Sequence, residues 1–459
     1  MSELSFSNLE LPAAQLDNLA SLGYLEMTAI QAAALPLALA GSDVIGQAKT
    51  GSGKTAAFAL PLLARLDPQQ FAPQALILCP TRELASQVAS EIRRLARYQG
   101  NIKVVTLCGG QSIGPQIGSL EHGAHVVVGT PGRIRDHLRK ATLSLACVNT
   151  LVLDEADRML EMGFVEDIEG IVAGAPQERQ TLLFSATFPD NIQTLSNRFQ
   201  RAPQRVSVQS LHSEQHIAQH FFICQKSDRL AALVRLLEHF RPASAVVFCN
   251  TRQLVREACD YLGQCGLPAL ALHGDMEQRD RDQVLIQFKH LSCTILVATD
   301  VAARGLDIDD LPAVVNFELP RNAEVYVHRI GRTGRAGKEG IALSLFADSE
   351  RYKLQAIGDY LQRELAFDAI EQLQQGGGGL SLPPFVTLAI AGGRKEKVRA
   401  GDILGALTGE AGIDGRAVGK ITVTDYAAYV AIARDEADKA LGRLLNGRIK
   451  GRKFKVRRL

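Results

Sequence analysis

The sequence predicts an α/β chain: two parallel-sheet domains in tandem, then a small α+β domain. Three observations predict it. At 459 residues the chain is too long for one ordinary core. Short apolar runs alternate with amphipathic segments through the first half and again through residues 215–368, the pattern of parallel sheets covered on both faces. After Gln374-Gln375-Gly376-Gly377-Gly378-Gly379, a flexible linker by composition, the pattern changes. The boundaries these changes suggest are 1–207, 215–368, a linker at 369–381, and 382–459.

Composition excludes several classes. Forty-six per cent apolar and 22% charged residues is ordinary for a soluble protein. No run approaches the roughly eighteen apolar residues a bilayer span needs. Met1-Ser2-Glu3-Leu4 opens no secretory signal, so a cytoplasmic location without membrane partners is expected. The eight cysteines form no C-x-x-C pair, and several lie in apolar runs such as Leu76-Ile77-Leu78-Cys79. Buried free thiols in a reducing compartment are the expectation, with no disulfide or zinc. Net charge is only +2, yet residues 392–459 hold sixteen Lys/Arg against eight Asp/Glu, which suggests a polyanionic partner for that region.

Residues 10–42 read as helical segments. Val44-Ile45-Gly46 reads as a short buried strand, followed by Ala48-Lys49-Thr50-Gly51-Ser52-Gly53-Lys54-Thr55 and the helix-period segment Ala56–Leu60. Strand, glycine-rich loop, Lys-Thr and helix form a cradle for a triphosphate. Backbone N–H groups face the anion, Lys54 reaches the outer phosphates and the Thr55 hydroxyl can hold Mg²⁺. Further apolar runs follow at Ala75–Cys79, Val104–Leu107, His125–Val128, Thr150–Leu153 and Thr181–Phe184, with helix-like segments such as Glu83–Tyr98 between. Polar clusters sit just past these runs, where open α/β sheets bind ligands. One is Asp154-Glu155. Asp154 can hold hydrated Mg²⁺, and Glu155 can orient or deprotonate an attacking water. An acidic helix N-cap is the alternative for the same pair.

Asp154-Glu155-Ala156-Asp157 resembles the signature of the DEAD-box RNA helicases. The ordered set around it is similar to that family's motifs: Gln31, Ala48–Thr55, Pro80–Leu84, Gly109-Gly110, Thr130–Arg133 and Ser185–Thr187. The chain departs from the family where Met27 and Ala29 replace the usual prolines. The resemblance implies RecA-like domains and an RNA-stimulated ATPase that needs ATP and Mg²⁺. Gln31, Ala48, Lys49, Thr50, Gly51, Ser52, Gly53, Lys54 and Thr55 would bind ATP. Ser185 and Thr187 would couple the nucleotide to RNA, and Pro80, Arg82, Gly110, Thr130 and Arg133 would contact RNA.

Residues 215–368 lack a phosphate loop. Strand-like runs lie at Ala245–Phe248, Leu270–Leu272 and Thr294–Ala298, and Gln278–Lys289 reads as a helix. In His328-Arg329-Ile330-Gly331-Arg332-Thr333-Gly334-Arg335, arginines recur every three residues with small residues between, so two guanidiniums can reach a γ-phosphate. A solvated basic face, or RNA contacts alone, would explain the same pattern. By resemblance, Arg332 and Arg335 are arginine fingers, His328 and Arg329 support them, Asp307 lies near the ATP ribose and Thr299 contacts RNA. Arg304 reads equally well as a structural ion-pair partner. The family implies that the two halves close around ATP, bend one RNA strand and so open short duplexes.

Residues 382–459 read strand (Phe385–Ile390), helix (Asp402–Thr408), strand (Val418–Val423), strand (Ala428–Ala433), helix (Asp435–Leu445), strand (Lys453–Val456). That order is RRM-like. Tyr429 is the one aromatic at a stacking position of the central strand, which gives weak support for base stacking there. Arg448 to Leu459 carries seven basic residues and no acidic one, so electrostatic contact through this edge, with Lys450 and Arg452, is the stronger reading. A solubilising tail is the alternative. The stretch Arg399–Gly409, with Gly419-Lys420-Ile421 and Lys450-Gly451-Arg452, resembles the C-terminal domain of one bacterial branch of the DEAD-box family. That likeness implies recognition of a 23S ribosomal RNA hairpin and a role in assembling the large (50S) subunit. An ATP-gated RNA clamp, or a general RNA remodeller without rRNA specificity, uses the same residues. A DNA-directed helicase is disfavoured by Gln31 and by the Asp-Glu-Ala-Asp run. No feature demands a dimer, so a monomer is the default, with no metal other than Mg²⁺.

Overall fold

Three sheets organise the computed structural model, which describes residues 4–48, 51–188, 190–208, 217–303, 311–334, 339–374, 382–409 and 412–459. The chain divides into two compact units, the first spanning Met1–Leu211 and the second holding the described residues that follow. The linker expected around Gln375–Ser381 lies outside the described residues.

In the first unit the strands are β1 (Val44–Gln47), β2 (Ala75–Leu78), β3 (Val104–Leu107), β4 (Val126–Gly129), β5 (Thr150–Asp154), β6 (Gln180–Ser185) and β7 (Gln204–Ser207). They run in the order β3-β4-β2-β5-β6-β1-β7, all parallel. The central strands are buried on both faces, so their unbroken Val/Ile/Leu runs are what the fold requires. Each such side chain contributes about 1.5–3 kcal/mol on burial. Helices Ala29–Leu39, Lys54–Ala64 and Arg82–Leu95 share one core with a face of this sheet. Phe58 of the second packs on Phe184 of β6, with ring centroids 5.5 Å apart. Gly46 is required by that packing, because a Cβ there would run into the Phe184 ring. The strand order brings the carboxyl ends of β1, β5 and β6 side by side, with Gln47 opposite Ser185 and Asp154 opposite Phe184. The ends of β2, β3 and β4 form a second group along the same edge.

The second unit repeats the design. Its strands are β8 (Ile217–Ile223), β9 (Ala245–Cys249), β10 (Ala269–Leu272), β11 (Ile295–Thr299), β12 (Ala313–Asn316), β13 (Gly340–Phe346) and β14 (Asp368–Ala369). They form a second seven-stranded parallel sheet in the order β10-β11-β9-β12-β13-β8-β14. Two parallel-sheet domains in tandem are therefore confirmed.

The third sheet is antiparallel. Strands β15 (Phe385–Ile390), β16 (Val418–Val423), β17 (Ala428–Ala433) and β18 (Val456–Arg458) take the order β16-β17-β15-β18. Helices Ala400–Thr408 and Ala437–Asn446 cover one face around Leu388, Ile403, Val430 and Leu444. The last strand begins later than the sequence suggests. Ile449 and Arg452 close a tight turn through Lys450 (φ 52°) and Gly451 (φ 77°), and only then does Val456 pair with Ile390.

The other face of that sheet is also covered. Tyr429 and Ala389 pack with Ile286 of the helix Gln278–Lys289, joined by Ala427 and Leu459. His290, just past that helix, sits 2.9 Å from the Thr422 hydroxyl and 3.4 Å from that of Thr387, which also meets Ser292 at 2.7 Å. Arg457 donates to Gln283 at 3.2 Å. Tyr429 therefore differs from its expected place on an open stacking surface: it is 7% exposed, with the Gln278–Lys289 helix against its face of the sheet.

Candidate nucleotide and nucleic-acid sites

At the carboxyl end of β1 the chain turns through Gly51 (φ 82°) and Gly53 (φ 90°), backbone that glycine adopts without strain, into the Lys54–Ala64 helix. A Cβ at Gly53 would come within 2.5 Å of Gln31 Nε2. Gln31 is buried. Its Oε1 accepts from Thr28 N at 2.9 Å, closing a capping box at the start of helix Ala29–Leu39, and its Nε2 donates to Gly53 O at 3.0 Å. Gln31 thus ties its own helix to the phosphate loop. Met27, where the family usually has proline, is buried in the core, and Thr28 caps the helix without it. Lys54 is curled back so that Nζ donates to Ala48 O at 2.7 Å, and Ala48 N donates to Ser185 O at 3.0 Å. Thr55 opens the first turn of the same helix. Lys49 and Thr50 lie outside the described residues.

The three carboxylates after β5 have different surroundings. Asp154 is buried and its pKa is pushed up to about 7, chiefly by burial, with Lys54 opposing and Glu155 adding to the rise. Its Oδ1 has no hydrogen-bond partner among the described residues, and neither has Ser52 Oγ nor Ser185 Oγ. A buried carboxylate oxygen left unpaired beside a phosphate loop suits a hard cation with oxygen ligands. Asp154 and Thr55 therefore fit the expected Mg²⁺. Glu155 adopts left-handed backbone (φ 52°) and receives Arg158 Nη1 at 2.8 Å, with both side chains buried. Asp157 accepts from Ala186 N (3.2 Å), Thr187 N (2.9 Å) and Thr187 Oγ1 (2.9 Å). Burial alone would raise its pKa, but the Thr187 contacts and Arg158 hold it below the ordinary carboxylate value. Asp157 and Arg158 were given no role in the sequence reading. The signal was the completed Asp-Glu-Ala-Asp run, but the partners come from a neighbouring strand.

The second group of strand ends gathers five of the expected RNA contacts. Pro80 and Thr81 follow β2, and Thr81 Oγ1 caps helix Arg82–Leu95 by accepting from Leu84 N at 3.3 Å. The Arg82 guanidinium lies over Gly110 (φ 68°) in the loop after β3, where a Cβ would collide with it. Thr130 N donates to Leu107 O at 3.1 Å and leads into helix Pro131–Arg139. Arg133 donates from Nη2 to Gln111 O at 2.8 Å, and its Nε and Nη1 have no hydrogen-bond partner among the described residues.

In the second unit Arg329 is buried and fully engaged. It meets Asp300 at 2.6 and 2.7 Å, Asn250 at 2.8 Å, Asn316 at 3.2 Å and Glu318 O at 2.8 Å, over the Phe248 ring. One guanidinium so pins the ends of β9, β11 and β12. His328 is on the same helix, Ala323–Ile330. Arg332, just beyond it, is buried, and its carbonyl accepts from Leu311 N at 3.0 Å. Thr299 ends β11 and its Oγ1 accepts from Ala302 N at 3.4 Å. Arg304, Asp307 and Arg335 lie outside the described residues. Lys450, in the turn before β18, is 3.9 Å from Asp402 and donates to Lys397 O at 3.3 Å, and Arg452 is exposed.

All eight cysteines are free thiols. Five are buried, but Cys147 and Cys265 are exposed and Cys259 is half-buried. Among the described residues no His/Cys/Asp/Glu group is arranged to hold a metal by three such ligands, and no helix is long and apolar enough to cross a membrane.

A phosphate loop beside a strand-end carboxylate pair, followed by a second parallel-sheet domain, defines a nucleoside triphosphatase of the two-domain helicase type. Comparisons narrow the class. Residues 28–195 match the DEAD/DEAH box helicase model, 228–337 the helicase conserved C-terminal domain and 387–458 the DbpA RNA binding domain. The chain is 52% identical to the ATP-dependent RNA helicase DbpA of Escherichia coli K12 over 99% of both chains, and 37% identical to DbpA of Bacillus subtilis 168 over 98% of both. Among solved structures, Saccharomyces cerevisiae Dbp5 bound to RNA and ADP BeF3 covers 80% of this chain and 95% of its own, with a TM-score of 0.73 at 29% identity. This chain belongs to the DEAD-box ATP-dependent RNA helicases, and it carries a DbpA-type RNA-binding domain.

Proposed function

We propose that this RNA helicase is directed by its C-terminal domain to 23S ribosomal RNA and opens short duplexes there during assembly of the large ribosomal subunit. The observation that carries the reading is the C-terminal domain itself. It matches the DbpA RNA-binding model, its sheet face is occupied by the Gln278–Lys289 helix, and Lys450 and Arg452 stand on a turn away from that face. Recognition through basic side chains at this edge gives affinity for a folded RNA without base stacking on the sheet. Arg82, Gly110, Thr130, Arg133 and Thr299 bind the RNA backbone of the duplex being opened, a contact that carries little sequence information.

In the hydrolytic step Lys54 leaves the Ala48 carbonyl and neutralises the outer phosphates. Asp154 and Thr55 would hold Mg²⁺, which when bound would neutralise charge on the phosphate oxygens. Glu155 orients the attacking water and takes its proton. Asp157 joins this cluster to Ser185-Ala186-Thr187, so nucleotide state is felt at the end of β6. Arg332 and Arg335, supported by His328 and Arg329, stabilise the transferring phosphoryl group, with Gln31 at the adenine and Asp307 near the ribose. The protein works as a cytoplasmic monomer.

Steady-state ATP hydrolysis with no RNA, a homopolymer, tRNA and a 23S hairpin fragment tests the reading. Strong stimulation by the hairpin fragment alone supports it. Equal stimulation by all RNAs overturns the rRNA address and leaves a general RNA remodeller.

A further inference from the structure

Gly109 and Gly110 have no side chains with which to fix their own backbone, and glycine loses more freedom on ordering than any other residue. The structure holds this pair from outside, through the carbonyls on either side. Before it, Cys108 O accepts from Nε2 of Gln116, a buried residue of helix Gly114–Glu121, at 2.9 Å. After it, Gln111 O accepts from Arg133 at 2.8 Å. Gln116 is held in turn. Its Oε1 lies 3.2 Å from Nε2 of His137, and His137 Nδ1 lies 2.8 Å from the Thr142 hydroxyl. His137 is fully buried, one turn beyond Arg133 on the Pro131–Arg139 helix.

The Cys108 carbonyl sets the order of donors and acceptors along the relay as far as His137 Nε2. The Cys108 carbonyl demands the Gln116 amide nitrogen, which turns the amide oxygen to His137. His137 Nε2 must then carry a proton. In the neutral ring Nδ1 is an acceptor for the Thr142 hydroxyl, which also faces the His137 carbonyl at 3.2 Å. Burial and the Arg133 charge lower the His137 pKa, which favours that neutral form. Two residues one turn apart on a single helix thus set both carbonyls that flank Gly109-Gly110.

We propose that Gln116 and His137 are positioning residues for RNA, fixing the Cys108 carbonyl so that the Gly109-Gly110 backbone is set for a ribose-phosphate strand before the strand arrives. The proposal rests on the reading of Gly110 and Arg133 as RNA contacts. Preorganisation of this kind acts on RNA affinity by lowering the ordering cost at binding, and leaves the phosphate loop untouched.

The test is RNA-stimulated ATP hydrolysis by the full chain over a range of RNA concentrations. For Gln116→Met and His137→Leu, the RNA concentration for half-maximal stimulation should rise about tenfold, the equivalent of one net hydrogen bond. kcat at saturating RNA and the half-saturating ATP concentration should stay at wild-type values. His137→Gln, which restores an N–H where Nε2 stands, should recover wild-type RNA dependence, as a packing role would not. If His137→Leu does not fold, Gln116→Met, which keeps the volume, decides the matter with the His137→Gln rescue. Arg133→Ala separates the two layers. If it leaves the RNA dependence unchanged, the RNA-contact reading of the loop falls and the proposal with it. If Arg133→Ala weakens RNA binding and Gln116→Met does not, the relay alone is overturned. A fall in kcat with unchanged RNA dependence in Gln116→Met also overturns it.

Discussion

Lowering the pH should release the C-terminal domain from the helix it packs on, with His290 as the trigger. The ring is buried between the Thr422 and Thr387 hydroxyls. Burial, with a smaller push from nearby Lys420, lowers its pKa from 6.5 to about 4. Undocking exposes the ring and returns it to about 6.5. Between those two values the undocked state binds more protons than the docked one, so docking is strongest above pH 6.5. It weakens as pH falls through the window and levels off below about pH 4. From pH 7.5 to pH 5 the loss is about 2 kcal/mol, a factor of about thirty in the docking equilibrium. Amide hydrogen exchange in Gln278–Lys289 and β17, followed across this range in the full chain, reads the docking. NMR titration of the His290 ring reads the pKa itself. His290→Gln keeps a hydrogen-bonding group for Thr422 and has no proton to gain, so its protection should stay flat with pH. A ring that titrates near 6.5, or the same pH profile in His290→Gln, would refute the reasoning.

Three further outcomes are expected. Lys54→Ala should abolish hydrolysis, because the outer phosphates lose their charged partner; near-normal turnover would remove Lys54 from the site. Glu155→Gln should retain ATP and RNA binding in equilibrium assays while turnover stops, and lost ATP binding would sink its assigned role. Arg158→Met leaves the buried Glu155 carboxylate without its 2.8 Å partner and should cost about 3 kcal/mol or more in stability by chemical denaturation. A change under about 0.5 kcal/mol, the range of ordinary surface substitutions, would show that the pair is solvated.

The central strands were legible because each is a short apolar run ending in polar residues. Ile77, Val127 and Val152 are wholly buried, so the sequence there has no freedom to be anything else. Two of the edge strands, β7 and β14, were not legible, while the apolar runs of β3 and β10 were. β7 buries only Val206 of its four residues, and β14 is two residues long, so neither leaves an apolar run to find. β8, β12 and β13 were passed over although they contain apolar residues, and their place follows only from pairing in the sheet. The start of β18 was misjudged because the Lys450-Gly451 turn depends on two left-handed residues, one of them a lysine. Tyr429 shows a different limit. An aromatic on a central strand signals a stacking surface only if that face is open, and what covers it is Ile286, more than a hundred residues earlier in the chain.

The Asp-Glu-Ala-Asp run shows why residue type could locate the site but not divide its labour. Four consecutive residues leave one strand end, yet their carboxylates meet three environments. Asp154 continues the line of β5 and stays inside, where burial raises its pKa and its Oδ1 is left unpaired. At Glu155 the backbone turns left-handed, which swings the next carboxylate onto Arg158. Asp157, in the helix that follows, faces the end of β6, because β5 and β6 are adjacent in the sheet. A carboxylate alone inside suits a cation, one beside an arginine is held and aimed, and one clasped by backbone and hydroxyl donors at the end of β6 is a tether. The roles follow from the backbone turn at Glu155 and the strand order, neither of which is written in the four letters themselves.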